Sequence, residues 1–222
     1  MSILTPNVVK ERFLKDIENH KMTVMQDNGL YRHLNFSKGS INQHFNLITY
    51  PDHLVISGDM GTFIFKRTED MFKFFRSDEL GINTGYWDEK LQAISRWAGL
   101  KEFDQELVEE SIKNRVNDIC ANIEEYFFDY KGDEYKTCKE FEEAFRQEVS
   151  SHFEYKDLDQ HRHTSEIEDF ESFIIADLDF TDAWEWFNSE KYTIQYLWCC
   201  FAIVWGIQQY DKHLKSSDKK KQ

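Results

Sequence analysis

Between Gln43 and Lys66 the chain carries three short apolar-rich runs, Gln43 to Tyr50, Leu54 to Ser57 and Thr62 to Lys66, separated only by Pro51-Asp52-His53 and by Gly58-Asp59-Met60-Gly61. Connections this short can join only antiparallel neighbours, because a parallel crossover consumes a dozen or more residues. Just upstream, Met22 to Gln26 and Tyr31 to Phe36 flank Asp27-Asn28-Gly29, residue types that accept the positive φ of a tight hairpin, and a second turn follows at Lys38-Gly39-Ser40. The first third of the chain is therefore predicted to be an antiparallel meander of about four or five strands.

Helical spacing surrounds this meander. Thr5-Pro6 followed by Val8, Val9, Phe13, Leu14 and Ile17 predicts a helix with Pro in its first turn, ending near Asn19. Thr68 is the expected N-cap for a helix over Glu69 to Phe75, and Ser77 to Tyr86 reads as loop. From Trp87 onward the reading is helical, with one long amphipathic helix from Asp104 to Phe128 broken by Lys131-Gly132-Asp133, and another from Thr137 to Val149. Glu154 to Glu168 reads as a polar loop, and Asp182 to Phe187 as a short helix carrying Trp184 and Trp186. In the last element, Thr193 to His213, only Gln195 is polar between Ile194 and Ile207; that run is too short to cross a bilayer comfortably and is assigned to a core or an interface. The expected fold class is α+β: an N-terminal antiparallel β-meander with flanking helices (1–90), a mainly α-helical acidic region (91–215), and a disordered basic tail (216–222).

Charge is distributed unevenly. The chain has 27 Lys+Arg against 41 Asp+Glu, a formal net charge of −14. The first hundred residues are balanced, with 12 basic and 12 acidic, so the whole excess lies beyond them, where 15 basic face 29 acidic. Such a half repels a phosphate backbone, so direct nucleic-acid binding is not expected. It is either an ordinary solvated face or a surface that meets a basic partner such as a DNA-binding groove. The pairs Glu109 and Glu110, Glu124 and Glu125, and Glu142 and Glu143, with Trp184 and Trp186, are the candidate partner interface. A hydrophobic content of 41%, with 16% aromatic, is enough for a real core and excludes disorder for most of the chain.

No arrangement of residues supports an enzyme. Ser57-Gly58-Asp59-Met60-Gly61-Thr62 lacks the lysine and spacing of a phosphate loop and reads as a hairpin turn in which Asp59 bonds the turn backbone. His161-Arg162-His163, followed by Glu166, Glu168 and Asp169, contains ligand types, but metal sites need converging ligands with oriented supports, so neither metal nor cofactor is expected. His44, Asp52 and His53 lack an accompanying nucleophile. Cys199-Cys200 sits inside an apolar run and suits two small buried hydrophobes better than a redox pair. With no metal-finger spacing among the four cysteines and no leader read at the start, a reducing cytosol is the expected compartment.

The segment from Asp27 to Phe75 carries a further signal in Tyr31-Arg32-His33-Leu34-Asn35-Phe36, in the run from Phe45-Asn46-Leu47-Ile48-Thr49-Tyr50 through Ser57-Gly58-Asp59-Met60-Gly61-Thr62-Phe63, and in Glu69-Asp70-Met71-Phe72. Over roughly the first 90 residues it resembles a family of small proteins encoded by tailed phages and prophages, and among these it looks most like the Gabija anti-defence protein 1 group. That resemblance implies a non-enzymatic homo-oligomer in the host cell cytoplasm. It would bind the bacterial Gabija nuclease complex and sterically block DNA binding and cleavage. The alternatives are an acidic DNA mimic directed at another host nuclease or restriction system, and a small metal-dependent hydrolase using His161 and His163.

Overall fold

The computed structural model describes residues 5–122, 124, 137–153 and 190–219. Helix α1 (Pro6–Asp16) begins where the sequence requires: Thr5 is extended, its hydroxyl accepts from the Val8 N–H at 3.4 Å, and Pro6 occupies the first position, where no donor is lost. Val9 and Phe13 form its buried stripe.

The strands β1 (Lys21–Asn28), β2 (Tyr31–Ser37), β3 (Phe45–Tyr50), β4 (His53–Gly58) and β5 (Gly61–Lys66) form the antiparallel meander, and β6 (Leu91–Ile94) completes a six-stranded sheet in sequence order. The first hairpin closes at Gly29, with φ of 63°. Cross-strand rows such as Leu34–Leu47–Ile56–Phe63 alternate with rows such as His33–Ile48–Val55–Ile64, so every second residue enters the core. β6 corrects the helical reading beyond Trp87. Leu91 and Ile94, three residues apart, suit a helix as well as a strand, and pairing of Phe63 with Ile94 and Phe65 with Leu91 decides the matter. Two short helices follow or precede turns: α2 (Met71–Phe75) and α3 (Thr84–Asp88). The cap of α2 is Asp70, whose carboxylate accepts from Phe72 N–H at 3.1 Å, while Thr68 donates to the Asp70 carbonyl at 3.2 Å. Helix α3 begins within the stretch read as loop, Ser77 to Tyr86, continues to Asp88, and is capped by Asn83.

The chain divides into two compact units, Met1–Lys101 with Tyr192–Gln222, and Glu102–Lys191. In the second unit, Asp104 caps α4 (Gln105–Ala121) by accepting from the N–H groups of Glu106 and Leu107, and α5 (Cys138–Phe153) packs on α4. The expected extension of α4 to Phe128 lies mostly outside the described residues. Where the chain leaves the first unit and returns, β7 (Lys101–Phe103) and β8 (Glu190–Tyr192) form a two-stranded ribbon.

Helix α6 (Ile194–Lys219) belongs to the sheet unit, which corrects its assignment to an acidic helical domain spanning 91–215. From Tyr196 to Val204 every residue is buried, so this helix has no wet face there and must be wrapped. The sheet's inner face, α1 and α2 supply the wrapping. Phe13 meets Trp198 edge-on with centroids 5.1 Å apart, Phe36 and Phe45 stack at 4.5 Å, and the Trp198 indole donates to Asp16 at 3.0 Å. Farther along, Tyr210 donates to Asp27, and Arg76 grips Asp211 through two bonds at 2.8 and 3.0 Å. The helix continues to Lys219, with the Ser216 and Ser217 hydroxyls donating to the His213 carbonyl, so most of the expected disordered tail is helical; residues 220–222 lie outside the described set.

Close approach sets the helix against the sheet at Gly206, where a Cβ would stand 2.6 Å from Leu47 Cδ1 and 3.1 Å from Phe36 Cζ. Gly206→Val is expected to lower stability by about 1–3 kcal/mol through overpacking, read as a fall in the urea midpoint at unchanged slope. A second prediction concerns His20. It is buried, its Nε2 bonds the Gln43 carbonyl at 3.0 Å, and its Nδ1 has no hydrogen-bond partner among the described residues. Burial first, then the charges of Lys38 and His44, hold its pKa below the ordinary 6.5, against the opposing pull of the Gln43 bond and Asp16. The unfolded chain therefore binds the proton more readily, and stability should fall as pH drops through 6.5 toward the folded value. In His20→Gln this dependence should flatten, as measured by urea unfolding across that window.

Candidate interaction surfaces

Helices α4 and α5 sort their residues by face. On α4, Val108 and Ile119 are buried while Glu106, Glu109 and Glu110 stand exposed on the opposite side, as spacings of three and four residues dictate. Gln105 donates to Glu109 at 2.9 Å. On α5, Phe141, Phe145 and Val149 are buried along one stripe. Glu143 is exposed and pairs with Lys139 at 3.7 Å.

Glu142 departs from the sequence expectation. It is half-buried and bonded at 2.9 Å to Arg146, whose other arm reaches Asn117 of α4 at 3.3 Å, so it joins the two helices and offers little to a partner. Glu124 is exposed; Glu125, Trp184 and Trp186 lie outside the described residues. At the base of α4, burial opposes the charge of Asp104, but the Lys191 ammonium 2.6 Å away and the two capping N–H groups overcome it and hold the carboxyl below its usual value.

At one end of the sheet, the turn over Gly58 to Gly61 clamps its neighbours. Asp59 accepts from the Gln43 N–H at 2.8 Å, in the adjacent loop and not within its own turn as the sequence suggested. Its own N–H donates to the His44 carbonyl at 3.1 Å. A Cβ on Gly58 would lie 2.1 Å from that carbonyl oxygen, and one on Gly61, at φ of 115°, would lie 2.6 Å from Ala98 Cβ. On the far side, Thr62 N–H donates to Ser95 Oγ at 3.1 Å. The glycines are thus explained by backbone approach. Gln43, at an unusual φ of 53°, is held at its N–H by Asp59, at its carbonyl by His20 and at its side-chain oxygen by Lys38. On either side of this clamp, Ile41 is 78% and Trp97 61% exposed, a feature that residue type alone did not signal.

The remaining chemical candidates are kept apart or consumed. His44 precedes β3 and His53 pairs with Tyr50 at the strand's far end, about 20 Å apart along the strand at ~3.4 Å per residue. His44 bonds the Ile41 carbonyl, and His53 bonds Pro51 and stacks on Tyr50 at 4.6 Å. A cluster that sequence reasoning missed joins Arg32 to Asp70 at 2.9 Å, under Phe72 and Tyr210, with Tyr210 bonded to Asp27; it ties the first hairpin to α2 and α6.

His161, His163, Glu166, Glu168 and Asp169 lie outside the described residues. Among the described residues, no three His, Cys, Asp or Glu side chains converge to hold a metal ion, and no helix is long and apolar enough to cross a membrane. Cys199 and Cys200 are buried, and burial pushes both thiols well up. Both should resist alkylation in the native protein and react once it is unfolded, as mapped by mass spectrometry of labelled peptides. Rapid native labelling of either would contradict this burial.

Comparison with known proteins returns no relative: no family model, no curated protein and no solved structure matches the chain.

Proposed function

We propose that this chain is a non-enzymatic counter-defence protein whose inserted acidic unit occupies a basic, DNA-handling surface of a host nuclease complex. The Gabija complex is the target that the resemblance of the Asp27–Phe75 segment names. The observation that carries the reading is the segregation of charge between the two units. Residues 102–191 hold 9 basic and 27 acidic side chains, net −18, whereas the sheet unit holds 18 basic and 14 acidic, net +4. A nearly constant density of carboxylates over one unit projects a field that a basic cleft attracts, accelerating encounter and disfavouring acidic or nucleic partners.

Exposed Glu106, Glu109 and Glu110 present this charge from a helix whose opposite side is packed, so the charged row is rigid before any partner arrives. Where such a surface sits in a nuclease cleft, DNA is excluded by occupancy and by like-charge repulsion, and no bond of the inhibitor changes.

The test is inhibition of DNA cleavage by the purified Gabija complex. The protein should inhibit and should compete with DNA for the complex. Raising salt from about 50 to about 500 mM should weaken the binding markedly, because exposed pairs are screened. Replacing Glu106, Glu109 and Glu110 by Gln should raise the dissociation constant about tenfold, near 0.5 kcal/mol per exposed charge. Binding indifferent to both salt and neutralisation, or simultaneous binding of DNA and protein, would sink the reading.

A further inference from the structure

From the outer face of the six-stranded sheet we infer a binding surface for single-stranded nucleic acid, with unpaired bases stacked on a row of rings and phosphates met by lysines. This inference stands on the sheet unit and does not depend on the identity of any nuclease target.

The two faces of the sheet differ in kind. Helices α1, α2 and α6 join the core on the inner face, whereas every outward residue of β1 to β5 is exposed or half-buried. Charge on that open face has one sign. The one carboxylate in these five strands, Asp27, faces inward and accepts from Tyr210, so the formal charges that point outward are Lys21 and Lys66, both exposed. Asp52 and Asp59 stand in the turns at the two ends of β4, each near a cation: Arg67, whose N–H donates to the Asp52 carbonyl, and Lys38, which like Asp59 is bonded to Gln43. The repulsion expected of nucleic acid belongs to the other unit, at net −18, while the sheet unit is net +4.

The register then supplies the rings. One step beyond the Arg32–Thr49 pair, Tyr31 stands beside Tyr50, and Tyr50, His53 and Lys66 continue the same outward row across β3, β4 and β5. Tyr31 is 51% and Tyr50 39% exposed. Tyr50 stacks on His53 at 4.6 Å with 17° between the planes, and His53 bonds the Pro51 carbonyl, so these rings are held in place before a ligand arrives. Ile48, Val55 and Ile64 form the next outward row, an apolar floor. One row further, Asn35 donates to Asn46 at 3.0 Å, bringing amides of the kind that pair with base edges. Aromatic platforms on an open sheet, cations at its margin and amides among them are the means by which sheets take single strands. A duplex hides its base faces and would meet only the few lysines.

Fluorescence anisotropy with labelled oligothymidylate and oligouridylate, and with a DNA duplex of the same length, tests this on the purified full chain without any target present. At about 50 mM salt at least one single strand should bind, more tightly than the duplex, and preference between the two separates DNA from RNA. Log affinity should fall with log salt at a slope of about −1.4, two lysines at ~0.7 each, and Lys21→Gln with Lys66→Gln should flatten that slope. The pair Tyr31→Thr, Tyr50→Thr should raise the dissociation constant at least about tenfold, whereas Tyr31→Phe with Tyr50→Phe should bind as the wild type does, because the rings remain. Circular dichroism melts establish that each variant is folded. No binding of either strand at low salt, duplex bound as well as single strand, or binding indifferent to loss of the rings would overturn the proposal. Failure here leaves inhibition of cleavage untouched, and failure of inhibition leaves the single-strand result standing.

Discussion

The structure of the sheet unit depends on covering one helix. From Tyr196 to Val204 α6 has no residue that water can reach well, and a helix apolar on every side is stable only when it is enclosed. The sheet accepts it along a line of Leu47, Phe36, Phe45 and Phe63, α1 closes over Trp198 and Phe201, and α2 meets the far end near Tyr210. Gly206 allows the approach, since any side chain there would collide with the sheet. Polar ties follow the same path. Asp16 satisfies the Trp198 indole, and Asp27, Asp70 and Arg32 form a partly buried cluster at the other end. A buried ion pair of this kind contributes less through net energy than through the cost of removing one partner, which leaves the other charge stranded.

Much of this was legible in the sequence where the interactions are local. The hairpins followed from short connections and positive-φ residues, and the start of α1 from Thr5-Pro6. What escaped was set by distant partners. Leu91 and Ile94 carry no local mark that separates strand from helix, and β5 decides. The apolar run of α6 announced burial without saying against what, so the helix was grouped with its sequence neighbours instead of with residues nearly two hundred positions away. Thr68 looked the better cap, but Asp70 also answers to Arg32, a contact invisible along the chain.

The interaction surfaces show the same division. Exposure of Glu109 and Glu110 followed from helical spacing, since Val108 and Ile119 had to face inward. Glu142 did not fit, because its partner Arg146 one turn away turns it toward α4. The glycine turn was legible as a turn, yet its role as a clamp on two other loops required knowing that Gln43 and Ala98 converge there. Ile41 and Trp97 gave no warning because apolar residues are assigned to the core by default, and only the assembled surface shows which ones were left outside.

The pairing of Phe13 with Trp198 across an intervening unit has a consequence for how the protein is made. On a ribosome adding about 5–20 residues per second, the strands emerge with their inner face bare and wait roughly 5–20 s for α6 to be synthesised. During that interval the half-built sheet is the species most in need of a chaperone, and the strongly negative segment translated in between sets like charge against like on neighbouring nascent copies.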